Sequence, residues 1–312
     1  MSVLRRGLIY LSKARWANGM MTHFFLARRV ARRFVAGETL AEAVAATRQL
    51  NAQGLPVTLD VLGESVSHED ETHQVVAAYQ EVLKAIVEHK LDASVSLKLT
   101  QLGLDISEDL CVANLRLILT AARDAGGIPL TIDMESHEYV DRTLQIYRTM
   151  RDEYAFDNVG TVIQSYLYRS DEDMAALAAE GAHIRLVKGA YLEPADIAYP
   201  EKADVDKAFV RQTDTFLKGG KATGAYLCVA SHDENMLVAA IKSVEAHAVP
   251  NDRYEFQMLY GIRTQRQLEL AQAGYKMRVY VPFGKAWYPY FMRRLAERPA
   301  NLWFFVKSLF AR

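Results

Sequence analysis

Residues 57–62 read VTLDVL, a short run of strand-forming residues without helical spacing, and they open a series. Runs of the same kind return at 94–99 (SVSLKL), 128–133 (IPLTID), 159–166 (VGTVIQSY) and 183–188 (HIRLVK). Three more follow at 226–231 (YLCVAS), 254–259 (YEFQML) and 277–282 (MRVYVP). Longer segments lie between them, at 70–90, 108–124, 137–154, 171–180, 204–218, 233–247 and 262–273. Their apolar residues recur with a 3.6-residue period; in 70–90, Val75, Val76, Tyr79, Leu83, Ile86 and Val87 form one face. An eighth helical segment, 287–298, is stopped by Pro299. Glycines close helices just before strands at Gly126-Gly127, Gly181, Gly219-Gly220 and Gly274.

Eight strands alternating with eight helices require a parallel sheet, because each parallel pair needs a crossover. The block from Val57 to Arg298 is 242 residues long, against the ~250 typical of a closed (β/α)8 barrel of the TIM type. An open doubly wound sheet would usually carry a Gly-rich dinucleotide turn after its first strand, and DVLGESV is not one. The expectation is an α/β (β/α)8 barrel forming one domain over 51–312. Helices in 1–50 pack on it, and a final helix at 301–311 lies over the barrel mouth.

The chain has 312 residues, half of them hydrophobic and 24% charged, which is ordinary globular composition. Lys and Arg total 37 against 38 Asp and Glu, so no global field draws it to nucleic acid. Its two cysteines, Cys111 and Cys228, are too few for a disulfide scaffold or a four-ligand zinc site, and no metal is expected. No uncharged apolar run reaches the ~18 residues of a membrane span, and no secretory signal opens the chain. The expected location is the cytoplasm. One local bias stands out: residues 1–34 hold eight Lys and Arg and no acid. Such a leader reads either as helices with a solvated cationic face or as an element for the inner membrane surface.

Active sites of these barrels lie at the C-terminal ends of the strands. Those ends carry Glu64, Lys98, Asp133, Gln164, Arg185, Lys188, Ser231, His232, Leu259, Tyr260 and Tyr280. Inward positions are normally Val, Ile or Leu, so so many ionisable groups at one mouth point to a ligand, and the cations among them to an anionic one. In the last helical segment Tyr290, Arg293, Arg294 and Glu297 form one stripe at i, i+3, i+4 and i+7. By spacing alone it is either a solvated face with an Arg293–Glu297 pair or a fork for a carboxylate.

The stretch YVPFGKAWYPYFMRRLAERPANLWFF (280–305) resembles the C-terminal signature of the proline dehydrogenases, with its Tyr-x-x-Arg-Arg-x-x-Glu run. The similarity extends to DVLGE (60–64), SLKL (96–99), IDME (132–135), IQSY (163–166), RLVKGAY (185–191), ASHD (230–233) and FQMLYG (256–261). These motifs follow successive strands in the family's order and cover roughly residues 55–310. The chain lacks an aldehyde dehydrogenase half and so resembles the monofunctional bacterial members.

The resemblance implies non-covalent FAD on the barrel and oxidation of L-proline to Δ1-pyrroline-5-carboxylate, the first step of proline catabolism. Electrons would pass to a membrane quinone, and a separate pyrroline-5-carboxylate dehydrogenase would take the product. Carried over by position, Lys98, Arg293 and Arg294 hold the proline carboxylate, while Leu259, Tyr280 and Tyr290 pack on its ring. Glu64 resembles the gate that pairs with Arg293, and Asp133 and Arg185 are the catalytic candidates, Arg185 beside the flavin N5. Met134, Gln164, Val187, Lys188, Gly189, Ala190, Ser231, His232 and Glu297 complete the implied flavin site. Lys98 and Lys188 leave a Schiff-base aldolase on the same barrel open, and a non-catalytic binding barrel is the other alternative.

Overall fold

The computed structural model describes residues 31–63 and 66–297, with side chains described as far as Met292. Eight parallel strands close into one barrel in chain order. They are β1 (Val57–Val61), β2 (Ala93–Lys98), β3 (Leu130–Asp133), β4 (Val159–Gln164), β5 (His183–Val187), β6 (Tyr226–Ala230), β7 (Tyr254–Leu259) and β8 (Met277–Phe283). Closure is made by β1, which pairs in parallel with β2 on one side and β8 on the other, Val57 opposite both Ala93 and Val279.

The helices are α1 (Leu40–Asn51), α2 (Glu69–Glu88), α3 (Glu108–Asp124), α4 (Val140–Arg148), α5 (Ser170–Ala179), α6 (Lys202–Gly220), α7 (Glu234–Ala246), α8 (Thr264–Gln272) and α9 (Trp287–Glu297). Local chemistry sets their starts. Thr39 and Glu42 form a reciprocal capping box at α1, and Ser107 and Asp233 accept from backbone N–H groups opening α3 and α7. Alternate strand residues, among them Leu59, Val95, Leu97, Ile132, Leu186, Phe256 and Val281, are buried beneath the helices.

One local expectation fails. The segment 137–154 is not one helix: a 3₁₀ turn at His137–Tyr139 precedes α4, and a π-helical turn at Thr149–Glu153 follows it. The wider turn accompanies burial of Tyr147, Met150 and Phe156 together, which a uniform 3.6-residue period does not anticipate. Gly219 and Gly220 do close their helix, for α6 ends at Gly220. A Cβ on Gly220 would lie 2.6 Å from that of Ala225, so this glycine serves close packing.

The barrel interior is polar where aliphatic layers are usual. Towards the N-terminal end, Thr58 bonds Ser94 at 2.8 Å and Arg278 Nε donates to Glu255 Oε1 at 2.7 Å. Arg185 of β5 reaches across the axis to Ser96 of β2, its Nη1 donating to Oγ at 3.1 Å. At the C-terminal end α9 is anchored by Trp287, whose indole N–H donates to Glu38 at 3.1 Å, and by Phe291, whose ring lies 6.2 Å from that of Phe34. The expected helices in 1–30 and 301–311 lie outside the described residues.

Candidate active site

A cavity of about 440 Å³ opens at the C-terminal ends of the strands, within the ~300–1,000 Å³ usual for small-molecule and cofactor sites. Its floor is the upper polar layer of the barrel. Asp133, the last residue of β3, accepts from Ser96 Oγ and Arg185 Nη1 on Oδ1, both at 2.8 Å. Its Oδ2 accepts from Tyr280 OH at 2.8 Å and Lys98 Nζ at 3.3 Å. All four acceptor positions of the carboxylate are thereby occupied.

Burial alone would raise the Asp133 pKa; Lys98, Arg185 and the two hydroxyl donors overcome it and hold the carboxyl below its usual value. Lys98 is desolvated too, but Asp60 at 3.5 Å and Asp133 raise its pKa and keep it an ammonium. Burial pushes the Tyr280 phenol well up, with Asp133 and Asp60 adding to it. Arg185 is fixed from both ends: Nε donates to Gln257 Oε1 at 2.7 Å, and the guanidinium carbon lies 5.1 Å from the Tyr280 ring centre.

The rim is built from loops after the strands. Lys188 donates to Asp206 at 2.5 Å and Asp233 at 2.8 Å, and Lys202 pairs with the same two carboxylates. His232 Nε2 accepts the Leu259 N–H at 2.9 Å, which makes that nitrogen the unprotonated one. Gln164 Nε2 donates to the Glu135 carbonyl at 2.7 Å. Gly189 adopts φ +109°, and a Cβ there would come within 2.4 Å of the Tyr166 ring, so only glycine lets the backbone line the cavity at this point.

A family model described as proline dehydrogenase matches residues 43–307. The chain belongs to the proline dehydrogenase family. It is 44% identical to proline dehydrogenase 1 of Bacillus subtilis subsp. natto over 98% of this chain and 99% of that one. It is 42% identical to the proline dehydrogenase of Deinococcus radiodurans, over 90% of each chain. Among solved structures, proline utilization A from Bdellovibrio bacteriovorus superposes with a TM-score of 0.79 at 26% identity; the match covers 87% of this chain and 33% of that longer one.

Within this proline dehydrogenase fold, fourteen of the residues singled out from the sequence line the one cavity. They are Lys98, Asp133, Met134, Gln164, Arg185, Val187, Lys188, Gly189, Ala190, Ser231, His232, Leu259, Tyr280 and Tyr290. Glu64 and the side chains of Arg293, Arg294 and Glu297 lie outside the described residues, although the backbone of α9 carries the last three. Sequence reasoning missed Asp60 and Gln257, which line the cavity, and Ser96 beneath it. Each is a polar residue at an inward position of a strand, two residues from another polar one: Asp60 after Thr58, Ser96 after Ser94, Gln257 after Glu255. That alternation was the available signal.

The polar layer fits a flavin. Apolar side chains at Met134, Val162, Val187, Met258 and Leu259 suit a planar ring, and the cations Arg185 and Lys188 line the same cavity.

Proposed function

We propose that this chain oxidises L-proline to Δ1-pyrroline-5-carboxylate with non-covalent FAD and passes the electrons to a membrane quinone. One observation carries the reading: side chains that the family pattern allots to substrate and flavin, from β2 through β8, line a single cavity. Lys98, with Arg293 and Arg294, holds the substrate carboxylate through charge-assisted hydrogen bonds. Leu259, Tyr280 and Tyr290 pack on the ring methylenes and exclude water, and Glu64 closes the mouth by pairing with Arg293. Bound FAD supplies the two-electron acceptor. Arg185 would supply positive charge that stabilises the reduced ring, and Asp133 keeps Arg185, Lys98 and Tyr280 in position. Met134, Gln164, Val187, Lys188, Gly189, Ala190, Ser231, His232 and Glu297 hold the cofactor.

The Schiff-base alternative is disfavoured by the chemistry of the lysines. A nucleophilic lysine needs a lowered pKa, whereas two carboxylates raise that of Lys98, and Lys188 is held between Asp206 and Asp233. Among the described residues no helix is long and apolar enough to cross a membrane. Contact with a lipid-dissolved quinone is therefore assigned to the surface, through the eight cations of residues 1–34. Arg32 is already paired with Glu42 at 3.1 Å; each cation left exposed would contribute on the order of 1 kcal/mol near an anionic leaflet. A product-consuming pyrroline-5-carboxylate dehydrogenase acts as a separate partner.

The test is the absorption spectrum of the purified protein. A flavin spectrum is expected, bleached by L-proline without oxygen, with NAD neither required nor reduced and the flavin released by acid. Flavin that proline leaves oxidised would point to a binding barrel, and borohydride trapping of substrate without flavin to a lyase.

A further inference from the structure

Two carboxylates share Lys98 at the floor of the cavity, and they are not equivalent. Asp133 has all four acceptor positions filled. Asp60, from the middle of β1, is 1% exposed and lines the cavity. Its Oδ1 stands 3.5 Å from Lys98 Nζ and accepts no hydrogen bond among the described residues. A buried carboxylate oxygen without a donor is costly, and Asp60 keeps that unmet acceptor beside a ligand cavity.

We propose that Asp60 is the base of the reaction, its carboxylate accepting the N–H proton that the substrate nitrogen must release as C–N becomes C=N. The inference rests on the amine-oxidation reading above. A ring ammonium brings two N–H protons. One passes to Asp60, and the nitrogen lone pair forms the new π bond. The C–H bond beside nitrogen breaks with its electron pair leaving to the flavin, a two-electron acceptor. The product is a protonated imine that keeps the second N–H.

The groups facing Asp60 suit that exchange. Lys98 of β2 favours its ionised form, while burial and the negative charge of Asp133 on β3 raise its pKa, so the carboxyl can also carry the proton. Tyr280 of β8 donates to Asp133 at 2.8 Å and also acts to lower the Asp60 pKa without offsetting burial, and Tyr79 of α2 gives its hydroxyl to the Ser96 carbonyl at 2.7 Å. Asp133 stays an anion. Neighbouring carboxyls with pKa values driven apart are the arrangement in which one holds charge and the other moves a proton.

The experiment compares flavin-loaded wild type, Asp60→Asn and Asp60→Glu. One readout is the rate of anaerobic flavin bleaching by L-proline against pH. The other is the affinity for cyclopentanecarboxylate, which keeps the carboxylate and ring but has no N–H. Asp60→Asn should slow bleaching by roughly 10²–10⁴-fold at neutral pH, with a rate that climbs about tenfold per pH unit as free proline loses its proton. Analogue affinity should stay within about threefold, under 1 kcal/mol, and Asp60→Glu should recover part of the rate. A wild-type rate and pH profile in Asp60→Asn would overturn the inference and reduce Asp60 to a brace for Lys98. Analogue affinity falling in step with rate would overturn it too. Should Asp60→Asn fail to hold flavin, the wild type decides: the ionisation governing bleaching should have the near-zero enthalpy of a carboxyl, and an amine-like enthalpy refutes the assignment. Wild-type flavin that proline does not bleach would instead sink the functional reading itself.

Discussion

Arg185 Nη1 donates to Asp133 Oδ1 at 2.8 Å, joining β5 to β3 across the barrel interior with both side chains largely out of water. A buried pair of this kind contributes little net stability by its presence, but removing one partner strands the other charge. Asp133→Asn would take from Arg185 its carboxylate partner and leave Lys98 with Asp60 at 3.5 Å. A loss of about 3–5 kcal/mol is expected, read as a lower denaturant midpoint with unchanged m-value. An unchanged midpoint would show the pair to be dispensable for the fold.

Arg294→Met tests the proposed carboxylate fork on α9. One charge-assisted hydrogen bond lost costs about 1.5–3 kcal/mol, or roughly ten- to over a hundredfold in affinity. The Michaelis constant for proline should rise by that factor while flavin content stays level. An unchanged constant removes this arginine from the substrate site.

Gly189→Ala places a methyl 2.4 Å from the Tyr166 ring in a left-handed backbone at φ +109°. The strain is on the order of 1–3 kcal/mol, and relieving it moves the loop after β5 that lines the cavity. Reduced flavin occupancy and a lower melting temperature are expected. Full occupancy with wild-type melting would mean that the loop yields without cost.

His183 sits in the lower barrel layer, with Nε2 3.3 Å from Cys228 Sγ, and burial pushes its pKa down from 6.5 to about 4. The unfolded chain therefore binds a proton that the folded one refuses, and stability falls as pH drops from 6.5 towards 4. The loss is at most about 3 kcal/mol. Glu255, held at about 2 against burial by Arg278 and Lys276, loses its own contribution only below pH 4.5. Denaturant unfolding at pH 7 and pH 4.5 should show a smaller acid loss in His183→Gln than in wild type. Equal losses would assign the acid limb to other groups.

Much of this protein was legible in the chain because the information is periodic and local. VTLDVL and its seven successors mark β1 to β8 within two residues at every end, since a strand buried beneath helices needs β-branched and aliphatic residues whatever its neighbours are. Helix starts were legible where a single residue caps them, as at Ser107 and Asp233. The π-helical turn after α4 was not, because packing of Met150 and Phe156 accompanies it.

For the site, the sequence by itself determined which residues stand at the strand ends, because alternation and strand order fix which side chains share the mouth. What only the tertiary structure decided is how those charges divide their work. Asp60 and Asp133 are both carboxylates on inward strand positions, 73 residues apart, and nothing local distinguishes them. Barrel closure gives one of them four donors, from β2, β5 and β8, and leaves the other with a lysine at 3.5 Å. Desolvation and Coulomb interactions depend on distance through space and not along the chain, so the lowered Asp133 and the raised Asp60 exist only in the folded barrel.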